Sequence, residues 1–274
     1  MPEIINSHQD LLSEIEATQT EPGKAAFWWL GQHTFVVKAG QIVLYIDPFF
    51  AAWESRNTPP LLNFEEGKLA NYTLVTHTHG DHLCPETLSA MKDASPNCHF
   101  ICPKSEVHRL VDEAGIPLNR ITSMRGDDVF TDETLKVTAI PAKHETFDFT
   151  EENGYPFLGY VIEINGVKIY HAGDTIFYDG MLARLQKLTP LDVAFLPING
   201  RSAEQWSRNL MGNMTYQEAV EVAGELKVGL AVPTHYDMFV GNQEDPQKFV
   251  NYLKFRYPNT PAWVGGLGKQ VLFG

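Results

Sequence analysis

Thr76-His77-Thr78-His79-Gly80-Asp81-His82 is the stretch on which the reading of this chain turns. Its H-x-H-x-D-H spacing gathers three imidazoles and a carboxylate, all good ligands for a divalent ion, into one short segment. The residues leading into it, Tyr72-Thr73-Leu74-Val75-Thr76, are β-prone and end where the first histidine begins. Pro85 and Glu86 then open a helix expected over Glu86 to Lys92. The ligands therefore fall on a tight loop between a strand end and a helix start, where they can converge without distorting either element. A polar turn that merely happens to hold histidines is the plain alternative, and the rest of the chain decides between the two.

Working outward, the N-terminal side is β-rich. Ser7 and Asp10 suggest a helix start, followed by Leu11, Leu12 and Ile15 on one face. Phe27 to Leu30, Thr34 to Val37 and Ile42 to Ile46 read as strands, the last two joined by an Ala39-Gly40 turn and the third closed by Asp47-Pro48. Residues 50 to 70 read as a long irregular loop, a feature often tied to function in a compact domain. On the C-terminal side, strands are expected at Cys98 to Cys102, Leu135 to Ile140, Phe157 to Ile164, Val167 to His171, Val193 to Leu196 and Leu230 to Val232. Helices are expected at Ser105 to Glu113, at Met181 to Leu188, behind the Thr215–Glu218 capping box, and after Asp245-Pro246. Hairpins first and mixed strands and helices afterwards predict a layered α/β protein with mixed sheets, as a single domain over residues 1–274.

Three further ligand types follow strands: His144, Asp174 in His171-Ala172-Gly173-Asp174-Thr175, and His235 in Pro233-Thr234-His235-Tyr236-Asp237. Each alone would read as a turn or capping residue. Their joint placement after strands, in step with the His-rich loop, favours a shared metal site.

Composition narrows the function classes. The formal charge of −13, from 21 basic and 34 acidic residues, and the lack of a basic patch argue against nucleic acid as a partner. A small anionic substrate stays open, because bound metal reverses the local sign. No apolar run is long enough to span a membrane. Met1 to Asp10 has neither the basic start nor the apolar stretch of a secretory signal, and three cysteines make no disulfide framework. Cytoplasm is the expected location, with self-association left open.

Together, H-x-H-x-D-H, a lone His, a Gly-Asp and a late His resemble the metallo-β-lactamase superfamily, over roughly residues 25 to 240. The resemblance implies a four-layer αββα sandwich with a two-metal site along one edge. It assigns His77, His79 and His144 to a first metal, Asp81, His82 and His235 to a second, and Asp174 as a bridge. Two divalent ions there would lower the pKa of water and supply a nucleophilic hydroxide. Asp81 would carry the proton to the leaving group, which makes Asp81 and Asp174 the catalytic carboxylates. Five histidines and two aspartates do not choose among Mn, Zn and Fe.

Finer matches lie in Trp29-Leu30-Gly31-Gln32-His33-Thr34, Ile46-Asp47-Pro48, Pro197 to Arg201, Gly212 to Ala219 and Pro233 to Phe239. These resemble the L-ascorbate-6-phosphate lactonase branch, whose members open a sugar-acid lactone, usually with manganese. The chain is shorter than those lactonases, so its substrate pocket is expected to differ. No Cys stands at a ligand position, which argues against antibiotic hydrolysis. For a phosphorylated substrate the candidate anchors are Arg201, Arg208 and Lys143. Asp47 and His33 are candidates to accept the ligand histidines' outer N–H groups. Phosphodiester hydrolysis is the principal competing reaction; diiron redox chemistry and a metal-free binding module are weaker ones.

Overall fold

The structure, a computed structural model, describes Ile4 and residues 8–274. Strand β1 (Ala25–Trp29) is buried along its whole length because both of its faces are covered. Phe27 meets Phe195 of the opposite sheet edge-on, with ring centroids 5.1 Å apart. On the other face, Trp28 donates its indole N–H to Glu14 of the covering helix α1 (His8–Ala17). In α1, Leu11, Leu12 and Ile15 are buried, as their spacing predicts. Ser7, read as its cap, lies outside the described residues.

The first sheet continues through β2 (Phe35–Ala39), β3 (Ile42–Ile46), β4 (Tyr72–Leu74), β5 (His99–Pro103) and β6 (Ile121–Met124). β1 to β3 are antiparallel hairpins, and β3 to β6 run parallel. The second sheet holds β7 (Val129–Thr131), β8 (Leu135–Pro141), β9 (Leu158–Ile164), β10 (Val167–His171), β11 (Val193–Pro197) and β12 (Ala231–Thr234). It is antiparallel from β7 to β10 and parallel from β10 to β12. β13 (Gln270–Phe273) returns to the first sheet beside β1. Both sheets are mixed, as expected.

The two sheets pack face to face. Phe35 stacks on Phe195 with centroids 3.9 Å apart, and the buried Tyr160 hydroxyl donates to the Val75 carbonyl at 2.7 Å. The remaining helices are α2 (Pro85–Ala94), α3 (Val107–Asp112), α4 (Met181–Gln186), α5 (Ala203–Ser207), α6 (Tyr216–Glu225) and α7 (Pro246–Arg256). α6 starts at the Thr215–Glu218 capping box and lays its buried Ala219, Val220 and Ala223 against β11 and β12. With α1 on the first sheet and α6 on the second, the layers run helix, sheet, sheet, helix. No helix among the described residues is long and apolar enough to cross a membrane. Sequence reading missed β6, β7, β13 and the five-residue α5.

Candidate metal centre

The loops that follow β1, β3, β4, β8, β10 and β12 meet at one edge of the sandwich. Asp47, one residue past β3, organises the His-rich loop from beneath. Its carboxylate accepts from the Thr76 backbone N–H at 2.8 Å and from the Thr76 hydroxyl at 2.7 Å. Thr76 Oγ1 lies 2.9 Å from His77 Nδ1, and Asp47 Oδ2 lies 2.7 Å from His82 Nδ1. These contacts turn the far nitrogens of His77 and His82 outward. The turn itself is closed by the His82 and Leu83 N–H groups, which both donate to the His79 carbonyl.

Two glycines make the close packing feasible. A Cβ on Gly80 would stand 2.6 Å from the Trp53 ring, so glycine lets that indole lie over the loop. Gly173, at φ +60°, passes the Leu158 carbonyl so closely that a Cβ would collide with it. It thereby delivers Asp174 to the centre.

The seven predicted ligands come together. His77, His79, His144 and Asp174 form one group of convergent donors; Asp81, His82 and His235 form a second. Asp174 reaches both: Oδ1 is 3.5 Å from His82 Nε2, while Oδ2 is 3.1 Å from His235 Nε2 and 3.7 Å from His144 Nε2. His77 Nε2 and His79 Nδ1 are 3.0 Å apart.

Burial would lower the His82 pKa, but the carboxylates of Asp174, Asp81 and Asp47 outweigh it and lift the value to about 10. Burial holds His77 well below the usual histidine range and brings His144 down to about 4. Asp174 is held well below the usual carboxylate range although burial opposes it, because His235, His82 and His144 surround it. His77 and His144 therefore offer lone pairs, whereas the carboxylates raise the proton affinity of His82 and, against the burial that opposes it, of His235, a positive charge that a bound cation would supply instead. Among the described residues, the buried His82 Nε2 and Asp174 Oδ1 face each other without any hydrogen-bond partner. Such orphaned, convergent donors are costly unless a cation satisfies them, so the residues present fit a metal centre.

Sequence reasoning missed three neighbours. Gln32, in the β1–β2 turn, brings its amide to 2.8 Å from Asp81 Oδ2 and 2.9 Å from His235 Nε2. Glu145 stands 3.1 Å from His79 Nε2, and adjacency to His144 was the available signal for it. Arg56 lines the cavity above the site, yet spends its Nη1 on the Phe49 and Ala51 carbonyls and its Nε on Thr58. Gln32, Asp47 and His235 all hold φ between +46° and +58°, a left-handed conformation that costs about 1–2 kcal/mol per residue and concentrates at functional sites.

That cavity has a volume of about 590 Å³. Its floor is His79, Asp81, His144, Asp174 and His235; Trp53, Met211 and Phe239 contribute apolar wall. The candidate phosphate anchors lie elsewhere. Arg201 forms a bidentate pair with Glu218, both contacts at 2.6 Å, and Arg208 pairs with Glu204 at 2.6 Å. Lys143 extends its ammonium towards the Phe147 ring, 5.9 Å from the centroid. None of the three lines the cavity. His33 also departs from expectation. It is buried beneath the site with its ring against His171, 4.0 Å between centroids, and its Nδ1 near Thr234, and it bonds to none of the ligands.

Comparison with known proteins follows the same lines. Residues 43–236 match the profile described as the beta-lactamase superfamily domain. A UPF0173 metal-dependent hydrolase of Thermococcus kodakarensis is 30% identical over 221 residues, covering 81% of this chain and 88% of that protein. One from Alkaliphilus metalliredigens is 30% identical over 82% of this chain and 92% of its own length. Among solved structures, Igni18, a metallo hydrolase from the archaeon Ignicoccus hospitalis, superimposes with a TM-score of 0.72 at 22% identity, over 92% of this chain and 99% of that one.

Proposed function

This chain belongs to the metallo-β-lactamase superfamily and is a metal-dependent hydrolase, and on that premise we propose that it opens the lactone ring of a small polar molecule at a two-metal site. His77, His79 and His144 would hold one divalent ion and Asp81, His82 and His235 the other, with Asp174 shared. The observation that carries this reading is the reach of the Asp174 carboxylate to histidines of both groups. When bound, such ions supply hydroxide at neutral pH and polarise the bond under attack.

The protein's own groups do the rest. Asp81 lines the cavity and keeps Oδ2 beside Gln32 and His82, which leaves its other oxygen to take up a proton and deliver it to the departing oxygen. Glu145 and Asp47 fix the rings of His79 and His82. Trp53 and Phe239 place apolar surface along one side of the cavity.

The walls bear on the substrate. Arg56 is the one Lys or Arg among the lining residues; three carbonyls hold its Nη1 and Nε, while its buried Nη2 has no partner among the described residues. A single guanidinium with one free nitrogen is less than the bidentate cationic clamp a phosphate-specific pocket would present, so the lactone part of the expectation is kept without requiring the 6-phosphate. Phosphodiester cleavage shares the nucleophile but gains least from this lining.

The test is metal content of protein purified without chelator, with turnover of L-ascorbate 6-phosphate, an unphosphorylated sugar lactone and bis-p-nitrophenyl phosphate after Mn or Zn addition. About two ions per chain with lactone opening, both lost in Asp174→Ala, is the expected result. Diester cleavage alone would discard the lactone, and absence of metal under every loading would discard the site.

A further inference from the structure

Gln32 occupies a position that protons alone do not explain. Its backbone is held at φ +52° by three contacts: its N–H donates to Asp237 Oδ1 at 3.0 Å, and its carbonyl accepts from the His235 N–H at 3.0 Å and from the Trp29 indole at 3.2 Å. The strained turn delivers the side-chain amide to the second ligand group with Nε2 2.8 Å from Asp81 Oδ2 and 2.9 Å from His235 Nε2, a place that the amide oxygen takes when the group is turned over. His235 Nε2 is itself 3.1 Å from Asp174 Oδ2.

These three contacts conflict. If the amide NH₂ points at Asp81 and His235, it donates to both only when His235 Nε2 is unprotonated, and that nitrogen then faces the Asp174 oxygen lone pair against lone pair. If the amide is reversed, its oxygen accepts from a protonated His235 but faces the Asp81 carboxylate, oxygen against oxygen. Neither orientation satisfies all three contacts with ionised carboxylates. A cation reached by all four atoms removes the conflict, because every one of them then points a lone pair at it. Separations near 3 Å between neighbouring donors are also what an oxygen-rich, higher-coordinate site requires.

We infer that Gln32 presents its amide oxygen to the second ion as a further ligand, beside Asp81, His82, His235 and Asp174. This rests on the two-ion reading above and extends it. The extra neutral oxygen gives the second site three oxygen and two nitrogen donors. That set suits manganese in five- or six-fold coordination better than a tetrahedral zinc ion with four donors.

Full-length wild type, Gln32→Met and Gln32→Asn are titrated with Mn²⁺ by calorimetry, with metal per chain measured after free ion is removed, and the Mn-loaded wild type is crystallised. The expected outcome is two ions in the wild type, with the Gln32 amide oxygen roughly 2.0–2.6 Å from the second. In Gln32→Met the first ion is bound as before and the second at least tenfold more weakly. Gln32→Asn, which tolerates the positive φ but falls short of the ion, shows the same selective loss and serves where the methionine variant does not fold. An amide nitrogen turned to Asp81, with the oxygen beyond ligand distance, overturns the inference. So does unchanged second-ion affinity in both variants. A wild type that binds no second ion overturns the two-ion reading and the inference together, whereas a two-ion wild type with indifferent variants overturns the inference alone.

Discussion

Asp47 Oδ2 lies 2.7 Å from His82 Nδ1, with both side chains fully buried, and the same carboxylate ties down the backbone N–H and hydroxyl of Thr76. One acidic residue at the end of β3 therefore sets the ring orientation of a metal ligand and the start of the loop that carries it.

Replacing Asp47 by Asn keeps an acceptor oxygen and tolerates the φ of +46°, but removes the charge that supports the His82 ring. Affinity for the ion at Asp81, His82 and His235 should fall by roughly 10–100-fold, with the ion at His77, His79 and His144 less affected. Chelator competition followed by metal analysis reads this directly. Equal loss at both sites would mean that Asp47 holds the loop as a whole and not His82 in particular.

How much of this was legible in the sequence depends on the range of the contact. His77, His79, Asp81 and His82 stand within one turn, and His144, Asp174 and His235 each follow a strand, so local pattern singled out all seven of the side chains that converge. The role of Gln32 was not legible, because its partner His235 is 203 positions away and the link depends on a left-handed turn that glutamine seldom adopts. β6, β7 and β13 escaped for a different reason. They are short edge strands with half-exposed residues, so they lack the apolar alternation that marks a strand. α5 did carry a signal, the Ser202–Gln205 capping box, in a stretch otherwise read as loop.

Arg201 is a residue of the expected type that the fold pairs with an acidic side chain. The expectation was a phosphate anchor, yet its guanidinium fork grips Glu218, which in turn caps the start of α6 through Thr215. Arg201→Ala should therefore shift KM for phosphorylated and unphosphorylated forms of one substrate alike. Its cost is expected in stability instead, up to about 1 kcal/mol, since the pair is partly exposed. Paired steady-state kinetics and urea denaturation test both halves. A KM rise confined to the phosphorylated compound would restore the phosphate role.

Acid should destabilise the metal-free protein through His171. This imidazole is fully buried against His33, Phe35 and Phe195; its Nε2 donates to the His33 carbonyl, and its Nδ1 accepts from the Gly173 N–H. Burial, partly offset by Asp47 and the His33 carbonyl, brings its pKa down to about 4, against about 6.5 in an unfolded chain. Between those values the unfolded state binds the extra proton, so stability is complete above about pH 6.5 and falls as the pH drops towards 4. The loss attributable to this residue is of order 3 kcal/mol. His171→Asn cannot take up that proton. It should be less stable than wild type at pH 7, for want of packing, but the gap should narrow by about 2 kcal/mol or more by pH 4.5. Urea denaturation with chelator at the two pH values measures this. Parallel losses in the two proteins would show that other buried histidines, His33, His77 and His144 among them, carry the acid sensitivity and that His171 does not.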